Sequence, residues 1–170
     1  MRFRVIVRVA FVLLVATTTW AFPAGEYAKH FAALEQLSVA VAQAMPADQY
    51  TFKPHPESMT FGELMLHVAI TNYGFCAGLK DAGDPVAAML VPAATDKDAV
   101  VKFLSGSFDY CSGIIPQLSE EQLAAVHSSP DGRLPGREVL LAMFIHVAHH
   151  RGQAEIYLRD KGIKPPSYRI

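Results

Sequence analysis

The chain has 170 residues, 51% of them hydrophobic, which suits one domain with an ample core. Fifteen basic residues against sixteen acidic ones give a formal net charge of −1, with no Lys/Arg run or basic patch, so nucleic acid is excluded as a partner. There are no internal repeats, no low-complexity tract and no second domain.

Residues 1–21 read as a secretory signal peptide. Arg2, Arg4 and Arg8 precede or interrupt a run that becomes wholly apolar over residues 9–16. Small and polar residues follow, ending in Thr19-Trp20-Ala21. An uncleaved anchor is the alternative, but the apolar run is far short of the roughly 20 residues a bilayer span needs. Cleavage is expected at Ala21, with Ala24 as the second choice, and no stable membrane insertion afterwards. The mature domain, residues 22–170, keeps twelve basic residues against sixteen acidic ones, a formal charge of −4. A secreted or periplasmic location is an oxidising one, where Cys76 and Cys111 could pair.

Four helices are predicted, and no strand. The first spans about residues 25–45, where Tyr27, Phe31, Leu34, Leu37, Val41 and Met45 recur at spacings of three and four. Pro46 ends it, and Pro54 and Pro56 make residues 47–57 an extended connection. The second opens at Thr60, where Thr60-Phe61-Gly62-Glu63 has the capping-box pattern, and runs through His67, Ile70 and Tyr73 to Leu79. A connection over residues 81–94 leads to the third helix, which starts at Thr95 or Asp96. Its buried side carries Val100, Phe103, Leu104, Phe108, Cys111 and Ile115, and Pro116 stops it. One helical turn at residues 119–122 and a turn-rich loop at 128–136 precede the fourth helix, residues 135–160, which Gly162 caps. This is the pattern of an all-α four-helix bundle.

His146 and His150 lie four residues apart on the fourth helix, so both side chains leave one face and can chelate a single ion. Zinc proteases use the same spacing, but here Val147 stands where their glutamate follows the first histidine, and a protease is excluded. His67 sits mid-helix between Leu66 and Val68. A lone histidine there is ordinarily a hydrogen-bonded core residue. Three on two helices of one bundle bring a metal site level with that reading, and spacing alone leaves both open. Spacing alone leaves His149 as an alternative to His150. Three imidazoles suit zinc, nickel, iron or copper and suit magnesium or calcium poorly. They also leave a coordination position open, as in catalytic sites. Glu63, one turn before His67, either orients it or only caps its helix; Gln153 and Arg151 flank the pair, and Arg151 can equally ion-pair with Glu155. Tyr27 and His30 are weaker candidates for the open position, and His55 and His127 fall in loops with no assigned role. No Ser-His-Asp set or glycine-rich phosphate loop is present.

The segment His146-Val-Ala-His149-His150-Arg151-Gly152-Gln153 resembles the helix-four signature of the DinB/YfiT superfamily. Residues 157–166, Tyr-Leu-Arg-Asp-Lys-Gly-Ile-Lys-Pro-Pro, look like that family's ending, and residues 60–69 are similar to its second-helix segment with His67 in the ligand position. The resemblance implies a member of the superfamily, exported if the leader is read as above, with an up-down-down-up bundle and His67, His146 and His150 as ligands of one divalent transition metal (zinc, nickel or iron). It also implies a small-molecule substrate and metal-dependent hydrolase or thiol/S-transferase chemistry. The alternative is a non-catalytic metal-binding or stress-related protein of the same fold. A second copy of the chain is the candidate protein partner. In the implied order the second and third helices run parallel, so Cys76 and Cys111, each towards its helix's end, would meet in a disulfide. The fourteen-residue connection 81–94 can reach roughly 45 Å, enough to return along a helix of some 30 Å.

Overall fold

Apolar residues at helical spacing, broken by prolines, give the four long helices. The computed structural model describes residues 24–168. The expected signal peptide and its Ala21 cleavage point lie outside them. In chain order the elements are α1 (Ala24–Ala44), α2 (Phe61–Leu79), α3 (Lys97–Ser112), a short α4 (Glu120–Ala124), strands β1 (Val126–Ser129) and β2 (Gly132–Pro135), and α5 (Gly136–Asp160). Among the described residues no helix is long and apolar enough to cross a membrane.

Local chemistry sets the ends. The Glu63 amide donates to Thr60 Oγ1 at 3.3 Å, and the Thr60 amide donates to the Glu63 carboxylate at 2.7 Å, a complete capping box at the start of α2. The Asp96 side chain caps α3 through the Ala99 amide. Gly162, at φ 72°, closes α5. Its amide donates to the Arg159 carbonyl, and that of Ile163 to Leu158.

Side-chain pairs fix the helix directions. Phe31 meets Phe108, and Lys97 donates to the Gln43 carbonyl, so α1 and α3 are antiparallel. Asn72 pairs with Ser107 and Cys76 with Cys111, so α2 and α3 are parallel. Phe61 meets Tyr157 while Cys76 meets Met143, so α2 and α5 are antiparallel. The order is up-down-down-up, and the 80–96 connection returns the length of the bundle. Phe31, Leu104, Phe108, Met143 and Val147 are wholly buried in its core. Cys76 and Cys111 are joined by a disulfide, both buried, with Cα atoms 5.5 Å apart.

The turn-rich loop expected over residues 128–136 is instead part of a β-hairpin. Val126 pairs with Pro135 and Ser129 with Gly132 in an antiparallel register. Four-residue strands are too short for alternation to show in the sequence. Gly132 adopts φ 104° after the tight turn. The hairpin lies directly on α2: a Cβ at Gly78 would stand 1.9 Å from the Ser128 carbonyl oxygen.

His127, assigned nothing from the sequence, is what locks the hairpin down. Its side chain is only 3% exposed. Nδ1 lies 3.0 Å from the Asp81 carboxylate and Nε2 lies 2.7 Å from the Gln122 carbonyl. Burial, the largest influence, opposes its protonation, but the Gln122 and Asp81 hydrogen bonds together with the Asp81 charge outweigh it and raise the pKa above 6.5. The stability from this raised pKa is therefore complete below pH 6.5 and lost as pH rises through the folded value. We expect His127→Gln to cost about 1–2 kcal/mol at pH 6, a charged hydrogen bond discounted for the exposed Asp81. Urea denaturation of both proteins from pH 6 to 9 checks this: the gap should narrow with rising pH, and a constant gap would show that neutral imidazole suffices.

Candidate metal centre

The α2–α5 groove brings the three sequence-selected histidines together. His67 comes from α2, and His146 and His150 from successive turns of α5. The His67 and His146 Nε2 atoms are 3.0 Å apart, and one nitrogen from each of the three rings lies within 4.8 Å of the others. All three residues are half-buried. A tetrahedral ion with metal–nitrogen bonds of 2.0–2.1 Å needs nitrogens about 3.3 Å apart. The cluster therefore fits such an ion with small side-chain adjustment.

Electrostatics favours the ligating form. Burial, then the neighbouring His150, His67 and His149, pulls the His146 pKa down to about 4. Burial likewise lowers His67 and His150, although a hydrogen bond to Gln153 partly offsets this for His150. The rings are thus neutral near pH 7, with lone pairs free for a cation. His146 Nδ1 is buried and unpartnered, so the ring's polar contact is made at Nε2, within the cluster.

Gln153 orders the pair on α5. Its Oε1 lies 2.8 Å from His150 Nδ1, and its Nε2 lies 3.0 Å from His149 Nε2. An amide oxygen accepts only, which places the His150 proton on Nδ1 and leaves the Nε2 lone pair free for a metal. The same contact separates the two neighbouring histidines: His150 joins the cluster, while exposed His149 is held by the Gln153 amide.

Other candidates fall elsewhere. Glu63 is exposed and engaged with Thr60, so it orients its own helix start and not His67; this corrects the expected supporting role. Arg151 forms an ion pair with Glu155 at 2.5 Å. His30 lines a groove between α1 and α5, and Tyr27 packs against Phe144 there, on the other flank of α5. His55 is exposed. The sequence reading missed Phe75, whose ring centroid lies 6.0 Å from that of His146. It stands eight residues after His67, two turns along α2 towards the hairpin end. That spacing was a signal, obscured because α2 is apolar on nearly every side.

Residues 30–154 match the DinB superfamily. An uncharacterised Bacillus subtilis protein, YjoA, is 26% identical over 137 residues, covering 78% of this chain and 87% of its own. The crystal structure of that DinB-like protein superposes with a TM-score of 0.71 at 25% identity, over 85% of this chain and 98% of its own. A DinB-like protein from Bacillus cereus ATCC 10987 gives a TM-score of 0.70 at 13% identity, over 85% and 97%. The chain belongs to the DinB superfamily.

Proposed function

We propose that the chain binds one divalent transition-metal ion through His67, His146 and His150 and works as a metal-dependent enzyme on a small molecule, of hydrolase or thiol/S-transferase type. The convergence of three neutral imidazoles within 4.8 Å is the observation that carries this. A three-histidine ion with an open position supplies Lewis acidity and lowers the pKa of a bound water or thiol. The chain's own part is to hold that position. Gln153 fixes the His150 proton on Nδ1, and Phe75 shields His146 on the hairpin side. Zinc, nickel and iron all suit the donor set. Elemental analysis of tag-free protein tests the reading. About one equivalent of a transition metal per chain is the result expected from one three-nitrogen site. Protein that stays metal-free after incubation with each of the three metals would refute it.

We also propose that the protein is exported. The basic, then apolar, leader of residues 1–21 supports this, as does a disulfide of the kind that oxidising compartments permit. Mass spectrometry of protein expressed with its own leader should give a mature chain beginning near Phe22. An intact mass in the cytoplasm would refute export.

A further inference from the structure

Beyond the three histidines, the α2–α5 groove continues for one more turn of each helix. On α5 the side chains His146, His150, Gln153 and Tyr157 descend one face at spacings of four, three and four. On α2 the turn before His67 presents Leu64. Between these and the 54–59 loop is a cleft of about 360 Å³, walled by Met59, Leu64, Ile156 and Tyr157, with Gln153 also in its lining. That volume lies in the range of small-molecule sites. Gln153 belongs to both spaces: its amide oxygen meets His150, and its side chain lines the cleft. The opposite end of the groove is occupied by Phe75 and by Pro130 of the hairpin, which comes within 3.1 Å of a Cβ built on Gly74. The cleft is also held in shape, because the Tyr157 hydroxyl donates to the Met59 carbonyl at 2.8 Å and ties the loop to α5.

The geometry points to this cleft as the subsite for the non-reacting part of the substrate: an uncharged tail of about four to six atoms, with a methylene chain for the apolar flank, attached to a metal-binding head seated at the histidines. This rests on the metal reading above. Pro54, Met59, Leu64 and Ile156 give the cleft an apolar flank; Ser58, Gln153 and the Tyr157 hydroxyl make a comparable polar one, and the exposed Glu57 carboxylate disfavours an anionic tail.

A series of alkyl hydroxamates separates head from tail. Acetohydroxamate, butanohydroxamate and hexanohydroxamate are titrated against the cobalt(II)-loaded full chain, and binding is read from the visible d–d spectrum. Complete burial of each added methylene is worth about fourfold in affinity. For a half-open cleft we expect about twofold per methylene, roughly tenfold or more across the series. In Ile156→Trp, where an indole fills the cleft, that dependence on tail length should vanish; the slope is compared within each protein. A carboxylate at the end of the six-carbon tail should weaken binding to the wild type. Acetohydroxamate binding with no gain from longer tails, or an equal gain in Ile156→Trp, would overturn the subsite alone. Cobalt uptake with no spectral shift by any hydroxamate would overturn the open coordination position and the subsite with it, and no uptake of cobalt would overturn the metal site itself.

Discussion

His146→Ala should leave the protein folded but unable to retain metal through dialysis, whereas His55→Ala should keep the full complement. His146 contacts both other members of the cluster, with ring centroids 5.0 Å from His67 and 4.4 Å from His150. Loss of a group that only orients a ligand typically costs 10–100-fold in metal affinity; losing the ligand itself should exceed about 100-fold on that scale. His127→Ala is no silent control, because it unlocks the hairpin. The substitution also changes the acid behaviour of metal-free protein. A histidine held at a folded pKa of about 4 resists a proton that the unfolded chain accepts near 6.5. Its contribution is therefore complete above pH 6.5 and declines as pH falls towards 4, by at most about 3 kcal/mol. Acid titration of metal-free protein followed by circular dichroism should show the wild type failing at higher pH than His146→Ala. Undiminished metal occupancy in the variant would remove His146 from the site.

The difference between what was legible and what was not lies in how far a residue's partners are in sequence. His146 and His150 are a local signal, since one turn of helix brings them onto one face wherever the helix packs. The capping box at Thr60 and Glu63 is equally local, and that is why its presence could be foreseen. Whether Glu63 also served His67 could not be decided from spacing; in the structure its carboxylate is used on the Thr60 amide. The choice of His150 over His149 depends on where α2 packs, which spacing does not contain, and rested on family likeness. His127 is the clearest case of hidden information. Its acceptors come from residue 81, forty-six positions away, and from a backbone carbonyl that no side-chain pattern reports. The hairpin was hidden for a related reason: its first strand is held by close approach to Gly78 of α2, and the short α4 before it by close approach to Gly136 of α5, glycines that look unremarkable within a helical pattern.

Replacing Cys76 and Cys111 together by alanine should lower the stability of the folded chain by about 4 kcal/mol, the loop-entropy value for the thirty-five-residue separation they close. For a domain of this size that corresponds to a fall of roughly 8–16 °C in Tm. The bond matters because of where the chain goes between the two sulfurs. It leaves the end of α2, returns the full length of the bundle through the 80–96 connection, and descends again as α3. That connection has only a single 3-10 turn of regular structure, and the tip residues Met89, Leu90 and Val91 are exposed, so little else shortens the unfolded loop. Both sulfurs also sit in the core, with Cys76 Sγ 3.6 Å from Met143 Sδ, and lost packing adds to the cost. Single substitutions distinguish a covalent link from two separately packed thiols. Either Cys76→Ala or Cys111→Ala alone breaks the bond, so each should cost nearly as much as the pair, a strong departure from additivity. Thermal melts of the four proteins, purified under oxidising conditions, give that comparison directly. Single losses that sum to the double would show two independent core residues and would leave the α2–α3 pairing to apolar packing and the Asn72–Ser107 hydrogen bond.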